Sequence, residues 1–129
     1  KSFINRLHLT GKVEFIGNKN AEEMKREYLA SNVFVCPSTI ENSPNSLGEA
    51  QILGVPCIAS YVGGIPDMMK GNENNLYRFE EIEMLAEKVC KVFANAEKQS
   101  YMKETATKRH NPSINSRQLY SIYQSIINA

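Results

Sequence analysis

A chain of 129 residues with 42% hydrophobic and 22% charged residues fits one globular domain with a substantial core. A net charge of +1 excludes any global argument for nucleic acid or an acidic membrane surface. No apolar run reaches the roughly 18 residues of a membrane span, and the opening residues KSFINRLHLTGK carry no apolar signal-peptide core. Cys36, Cys57 and Cys90 are scattered without CxxC spacing. They read as buried free thiols of a reducing compartment, not as a disulfide framework, a metal site or a nucleophile. His8 and His110 are too few and too far from the polar loop described below to suggest a triad or a zinc site.

In chain order, VEFIG (13–17) predicts a strand ending at Gly17. AEEMKREYLAS (21–31) predicts a helix capped by Asn20, with Met24, Tyr28 and Leu29 on one face. VFVCPS (33–38) is a near-continuous apolar run, as expected of a strand covered on both faces and stopped at Pro37. After a polar loop, SLGEAQILG (46–54) predicts a short helix closed by Gly54, and VPCIAS (55–60) a third strand. VGGIP (62–66) is a turn, PDMMKG one helical turn begun by Pro66, and NLYRF (75–79) a fourth, weaker strand. The remainder is helical. Ile82, Leu85, Ala86, Val89, Val92 and Phe93 recur at the 3.6 period within 80–95, and 97–109 forms another helix. Asn111-Pro112-Ser113 breaks the chain and caps a last helix striped by Leu119, Ile122, Tyr123, Ile126 and Ile127. Each stripe reads first as core packing. Alternating strands and helices predict an α/β fold, a Rossmann-like parallel sheet of about four strands flanked by helices.

In such sheets ligands bind beyond the carboxyl ends of the strands. The stretch STIENSPNSLGEA (38–50) lies at such an end and leads into a helix. The helix start offers free backbone N–H groups and the positive end of its dipole, a seat for a phosphate. Ser43 or Asn45 is the expected N-cap, and simple capping is the plainer reading of both. Glu41 and Glu49 frame the loop. Eight positions of continuous helix would separate them by about 12 Å, too far for an acid/base dyad. Two separated carboxylates beside a phosphate seat would instead accept hydrogen bonds from a ribose on one side and a hexose on the other. The alternative is two solvated surface glutamates. Between Arg26 and Lys70 there is no Lys, Arg or His, and there is no Asp-x-Asp pair for a metal. A pyrophosphate leaving group needs more positive charge than one helix end supplies.

The stretch VFVCPSTIENSPNSLGEAQILGVPCIASYVGGIPD resembles the donor-binding half of family-four glycosyltransferases of the GT-B fold. The matching motifs are Pro37-Ser38, Glu41-x7-Glu49, Gly54-Val55-Pro56 and Gly63-Gly64-Ile65-Pro66-Asp67. Upstream, 13–38 is similar to the family's strand–helix–strand lead-in, and the closing helix with Tyr123 to its usual end. Two departures stand out. A Phe-Gly-Leu type sequence common inside the motif is replaced by Ser43-Pro44-Asn45-Ser46-Leu47, where Pro44 has no N–H to offer. Asp67 stands where Glu is commoner.

The resemblance implies a retaining transferase acting on a nucleotide diphosphate sugar, with no cofactor and no required metal. In that reading Glu41 is the catalytic residue that holds and positions the transferred sugar. The donor-binding set is Ser38, Asn45, Ser46, Leu47, Glu49, Gly63 and Gly64. Glu49 holds the ribose, and the amides of Asn45, Ser46 and Leu47 approach the sugar or diphosphate. Residues 1–129 are then a partial donor domain. The acceptor domain, the first two donor-domain strands and the Arg/Lys pair that meets the diphosphate would lie outside them. The acceptor, a sugar or lipid-linked saccharide, belongs to that missing domain, and nucleic acid is not an expected partner. The implied setting is polysaccharide or glycoconjugate synthesis in the cytoplasm or at the inner face of the cell membrane. Strand 13–17 is expected either to pair directly with 33–37 or to leave a gap filled by a second copy. The last helix, which reaches toward the other domain in whole enzymes, is expected to expose its stripe. By itself the chain is expected to be inactive. The competing reading is a non-catalytic nucleotide-binding or assembly module of the same fold.

Overall fold

The structure, a computed structural model, describes residues 2–95 and 100–128. After a one-turn helix α1 (Ser2–Arg6), the chain runs without regular structure to α2 (Ala21–Ala30). The Asn20 side chain accepts from the Glu23 amide at 3.0 Å, and the Glu23 carboxylate accepts from the Asn20 amide at 2.8 Å. This reciprocal capping box explains why the helix starts at Ala21.

Three parallel strands follow, β1 (Phe34–Cys36), β2 (Cys57–Ser60) and β3 (Leu76–Tyr77), adjacent in that order. Phe34 pairs with Cys57 and Cys36 with Ala59, and then Ala59 with Leu76 and Ser60 with Tyr77. Parallel pairing requires crossovers. The first is α3 (Asn45–Ile52), and the second is α4 (Ile65–Met68) with a 3₁₀ turn at Glu73–Asn75. Gly54 ends α3 at φ +78, the left-handed conformation that closes many helices.

The pleat sorts the core. Cys57, Ala59 and Leu76 point to one face, where they pack with Tyr28, Leu47, Ala50, Ile65 and Met69. Ile58 and Tyr77 point to the other face, beneath α5 (Ile82–Ala94), with Val92, Val89 and Leu85. Helices thus cover both faces of the short sheet, as the Rossmann-like expectation requires. Two further helices, α6 (Ser100–Arg109) and α7 (Pro112–Ile127), complete the chain. Asn111 caps α7 by accepting from the amides of Ser113 and Ile114, with Pro112 in the first turn. The first residues of the helix expected at 97–109, 97–99, lie outside the described residues.

Several expectations are corrected. Among the described residues the sheet has three strands, against the expected about four. Residues 13–17 form no strand and do not pair with 33–37. All five are exposed, Phe15 at 72%. A strand exists only through the neighbour it bonds, and among the described residues β1 bonds on one side alone. Leu29, one position around the helix from buried Tyr28, is 59% exposed. Ile82 and Phe93 flank the buried side of α5 and face solvent, and Cys90 is exposed while Cys36 and Cys57 are buried. The α7 stripe is not core packing but exposed, as the resemblance implies for the last helix: Leu119, Ile122, Tyr123, Ile126 and Ile127 are all exposed, Ile127 at 80%.

Candidate functional site

Because β1 and β2 are parallel, their carboxyl ends open on the same edge, and the loops after them, 37–44 and 61–64, meet there. Fully buried Ser60, the last residue of β2, donates its hydroxyl to the Ser38 carbonyl at 2.6 Å. The Ser38 hydroxyl lies 3.7 Å from Cys36 Sγ. Beyond this link the two loops touch backbone to backbone. A Cβ on Gly63 would sit 1.7 Å from the Glu41 carbonyl oxygen, and one on Gly64 would sit 2.2 Å from that of Asn42. Gly63 also has φ +51. Only glycine permits this approach. Ser38, Glu41, Gly63 and Gly64, distant in sequence, are therefore neighbours.

Helix α3 starts at the same edge. Its N-cap is Pro44, not Ser43 or Asn45, and no side chain caps it. The proline ring fixes φ at −67, which suits the extended cap position. Asn45 is thereby moved into the helix as its first residue. The Ser43 hydroxyl turns away to Met68 Sδ at 3.8 Å. First-turn amides have no carbonyl four residues back, so those of Asn45 and Ser46 open toward the loop. The Leu47 amide differs: it donates to the Pro44 carbonyl at 3.1 Å, and its side chain is fully buried in the core.

Glu49 lies in the second turn of α3 and looks the other way, toward α2. Its Oε2 accepts from the Tyr28 hydroxyl at 3.3 Å. Tyr28 is 5% exposed, and its ring stands edge-on to Phe34 with centroids 5.6 Å apart. Burial, reinforced by the Glu49 carboxylate, pushes the phenol up to about 12. Beside this pair opens a cleft of about 530 Å³ lined by Lys19, Met24, Lys25, Tyr28, Glu49 and Ile52 among others. Glu41, half-buried, sets its backbone carbonyl against the glycine turn, whereas the Glu49 carboxylate is held by Tyr28 of α2.

Sequence reasoning missed Tyr28, Lys19 and Lys25 as site residues. In the sequence Tyr28 reads as part of the apolar face of its helix. The signal was its hydroxyl, which needs a partner once the ring is buried. The lysines precede the cation-free stretch in sequence but flank Glu49 in space; Lys19 pairs with Glu27 at 3.8 Å.

On the far side, α3 is anchored by Gln51. Its Nε2 donates to the Met68 carbonyl at 3.0 Å, and its Oε1 accepts from Arg109 Nη1 at 3.1 Å. Arg109 also donates to the Asp67 carbonyl at 3.3 Å. Burial lowers the guanidinium pKa, partly opposed by Asp67. Burial, with Cys36 nearby, raises the Cys57 thiol to about 12, which leaves it unreactive. Among the described residues, no three His, Cys, Asp or Glu side chains gather to hold a metal ion, and no helix is long and apolar enough to cross a membrane.

The family model described as glycosyl transferases group 1 matches residues 1–109. The chain belongs to this family. Two similar proteins agree. An uncharacterized glycosyltransferase of Methanocaldococcus jannaschii is 33% identical over 66 residues, covering 51% of this chain and 17% of that protein. A sulfoquinovosyl transferase of Arabidopsis thaliana is 36% identical over 55 residues, covering 43% of this chain and 11% of that protein. The aligned segments span a small fraction of either relative's length. The three parallel strands with helices on both faces are consistent with part of a GT-B domain.

Proposed function

We propose that this chain is the donor-binding part of a retaining glycosyltransferase that uses a nucleotide diphosphate sugar. The observation that carries the reading is the meeting of the Gly63-Gly64 turn with the Glu41–Asn42 backbone beside the uncapped start of α3. That edge offers open amides for a diphosphate and a carboxylate for sugar hydroxyls. The cleft behind it, with Glu49 on its wall, is large enough for a nucleoside.

In this reading Glu41 accepts hydrogen bonds from the transferred sugar and fixes its orientation. Glu49 accepts from the ribose hydroxyls. The amides of Asn45 and Ser46 and the α3 dipole receive the diphosphate, while Leu47 anchors the turn from within the core. Ser38 and the glycine turn shape the edge. During transfer the bond from the anomeric carbon to the diphosphate breaks. The acceptor oxygen bonds to that carbon on the same face, and its proton leaves with the diphosphate. Negative charge grows on the departing group, where the helix end stabilises it. The remaining cations belong to the rest of the donor domain and the acceptor site to a further domain, so the chain alone binds donor without transferring sugar. The same reading places the intact enzyme in the cytoplasm, in glycoconjugate or polysaccharide synthesis.

The test is an NMR titration with UDP, GDP and ADP and their glucose or mannose conjugates, repeated with Glu41→Gln and Glu49→Gln. Expected are amide shifts across 41–49 and 63–64 for one nucleotide series. Glu49→Gln weakens the bare nucleotide, and Glu41→Gln weakens only the additional grip on the sugar conjugate. Absence of shifts at these residues with every ligand would overturn the proposal.

A further inference from the structure

Glu49 projects from a helix into solvent, and a side chain so placed samples many rotamers. Ordering it on a ligand costs free energy at the moment of binding. Here the ordering is supplied in advance. The Tyr28 hydroxyl donates to Glu49 Oε2 at 3.3 Å. Tyr28 is itself immobile: it is 5% exposed and stands edge-on to Phe34, the first residue of β1. A short chain of contacts therefore runs from the sheet through two aromatic rings to one carboxylate oxygen. The same tyrosine and the same carboxylate line one cleft.

We propose that Tyr28 is a positioning residue that turns the Glu49 carboxylate so that it reads a ribose by its pair of adjacent hydroxyls. With one lone pair of Oε2 taken by the phenol, Oε1 and the second lone pair of Oε2 are left to accept from a ligand in the cleft that Glu49 lines. That leaves two acceptors side by side, the complement of two neighbouring hydroxyl donors. A phenol keeps its proton across the neutral range in any case, and burial and the adjacent carboxylate push this one further up, to about 12. It is thus always a donor to Glu49 and never a competing anion. Removing the hydroxyl should weaken recognition of a nucleotide's diol while leaving other contacts in the cleft in place. The inference rests on the reading of Glu49 as the ribose contact.

The experiment compares UDP, GDP and ADP with their 2′-deoxy counterparts on the wild-type chain, Tyr28→Phe and Glu49→Gln, with Kd from NMR titration. Tyr28→Phe keeps the ring against Phe34, and a thermal melt checks that the fold is retained. Expected is tighter binding of the ribo form by wild type. Tyr28→Phe then weakens the ribo form by roughly five- to tenfold, the scale of one ordinary hydrogen bond, as its 3.3 Å length suits. It changes the 2′-deoxy form much less, so the ribo/deoxy ratio falls toward one. A purely structural role would weaken both forms alike and leave the ratio intact. If the ratio survives in Tyr28→Phe but collapses in Glu49→Gln, the inference fails and the reading of Glu49 stands. If the ratio survives in Glu49→Gln, or no nucleotide binds, the reading of Glu49 fails and takes the inference with it.

Discussion

At residue 63 the absence of a side chain decides the geometry. The Glu41 carbonyl occupies the place a Cβ would take, at 1.7 Å, and φ is +51. Gly63→Ala is expected to cost about 2–4 kcal/mol and to weaken nucleotide binding, because the loop and the turn must separate. Gly17 provides the contrast: it has φ +68 but nothing within 4 Å of its added Cβ. Gly17→Ala should cost only about 1 kcal/mol of backbone strain. Urea denaturation of both variants checks the difference. Tyr28 makes a second prediction at this scale. Its phenol rises from 10.0 to about 12 on folding, so the folded state favours the neutral form. That stabilisation is complete below pH 10 and is lost as pH rises through 12. Two pKa units correspond to about 2–3 kcal/mol. Between pH 9 and 12, wild type should lose more stability than Tyr28→Phe by roughly that amount. Parallel losses in the two proteins would refute it.

Helix α3 shows what an element owes to its fixings. Gln51 links it to α4 through the Met68 carbonyl and to α6 through Arg109. Gln51→Leu fills the space but leaves the Met68 carbonyl and a half-buried guanidinium short of partners. It should lower stability by about 2–3 kcal/mol, measured by thermal melts, and shift the amides of 64–69. Most elements were legible because their signals are local. Asn20 and Glu23 announce the start of α2, Gly54 the end of α3, and Asn111-Pro112 the start of α7. The motif residues around the site were legible in the same way, as an ordered set along the chain. Illegible were features that depend on a neighbour. Whether VEFIG is a strand depends on a ladder partner, and it has none among the described residues. Pro44 displaced two better capping side chains because φ, not hydrogen bonding, set the helix start. Tyr28 and the lysines of the cleft are assembled by packing α2 against α3, which no spacing in one segment encodes.

For the molecule as a whole, the distribution of apolar surface is uneven. Ile122, Tyr123, Ile126 and Ile127 lie exposed along one helix, and Val13, Phe15 and Ile16 lie exposed near the other end of the chain. Contiguous apolar surface of this kind promotes association. The isolated chain is expected to self-associate with rising concentration, and Ile122→Lys with Ile126→Lys should shift sedimentation toward the monomer. A concentration-independent monomer for the unaltered chain would contradict this. The bond from the Ser60 hydroxyl to the Ser38 carbonyl has a wider consequence. It joins the roots of the two loops that meet again at Gly63 and Glu41. With a hydrogen bond at the root and close backbone packing at the tip, the two loops are expected to open together. Amide exchange at 41–43 and at 62–64 would then report a single opening event, and a ligand that quiets one segment would quiet the other to the same degree.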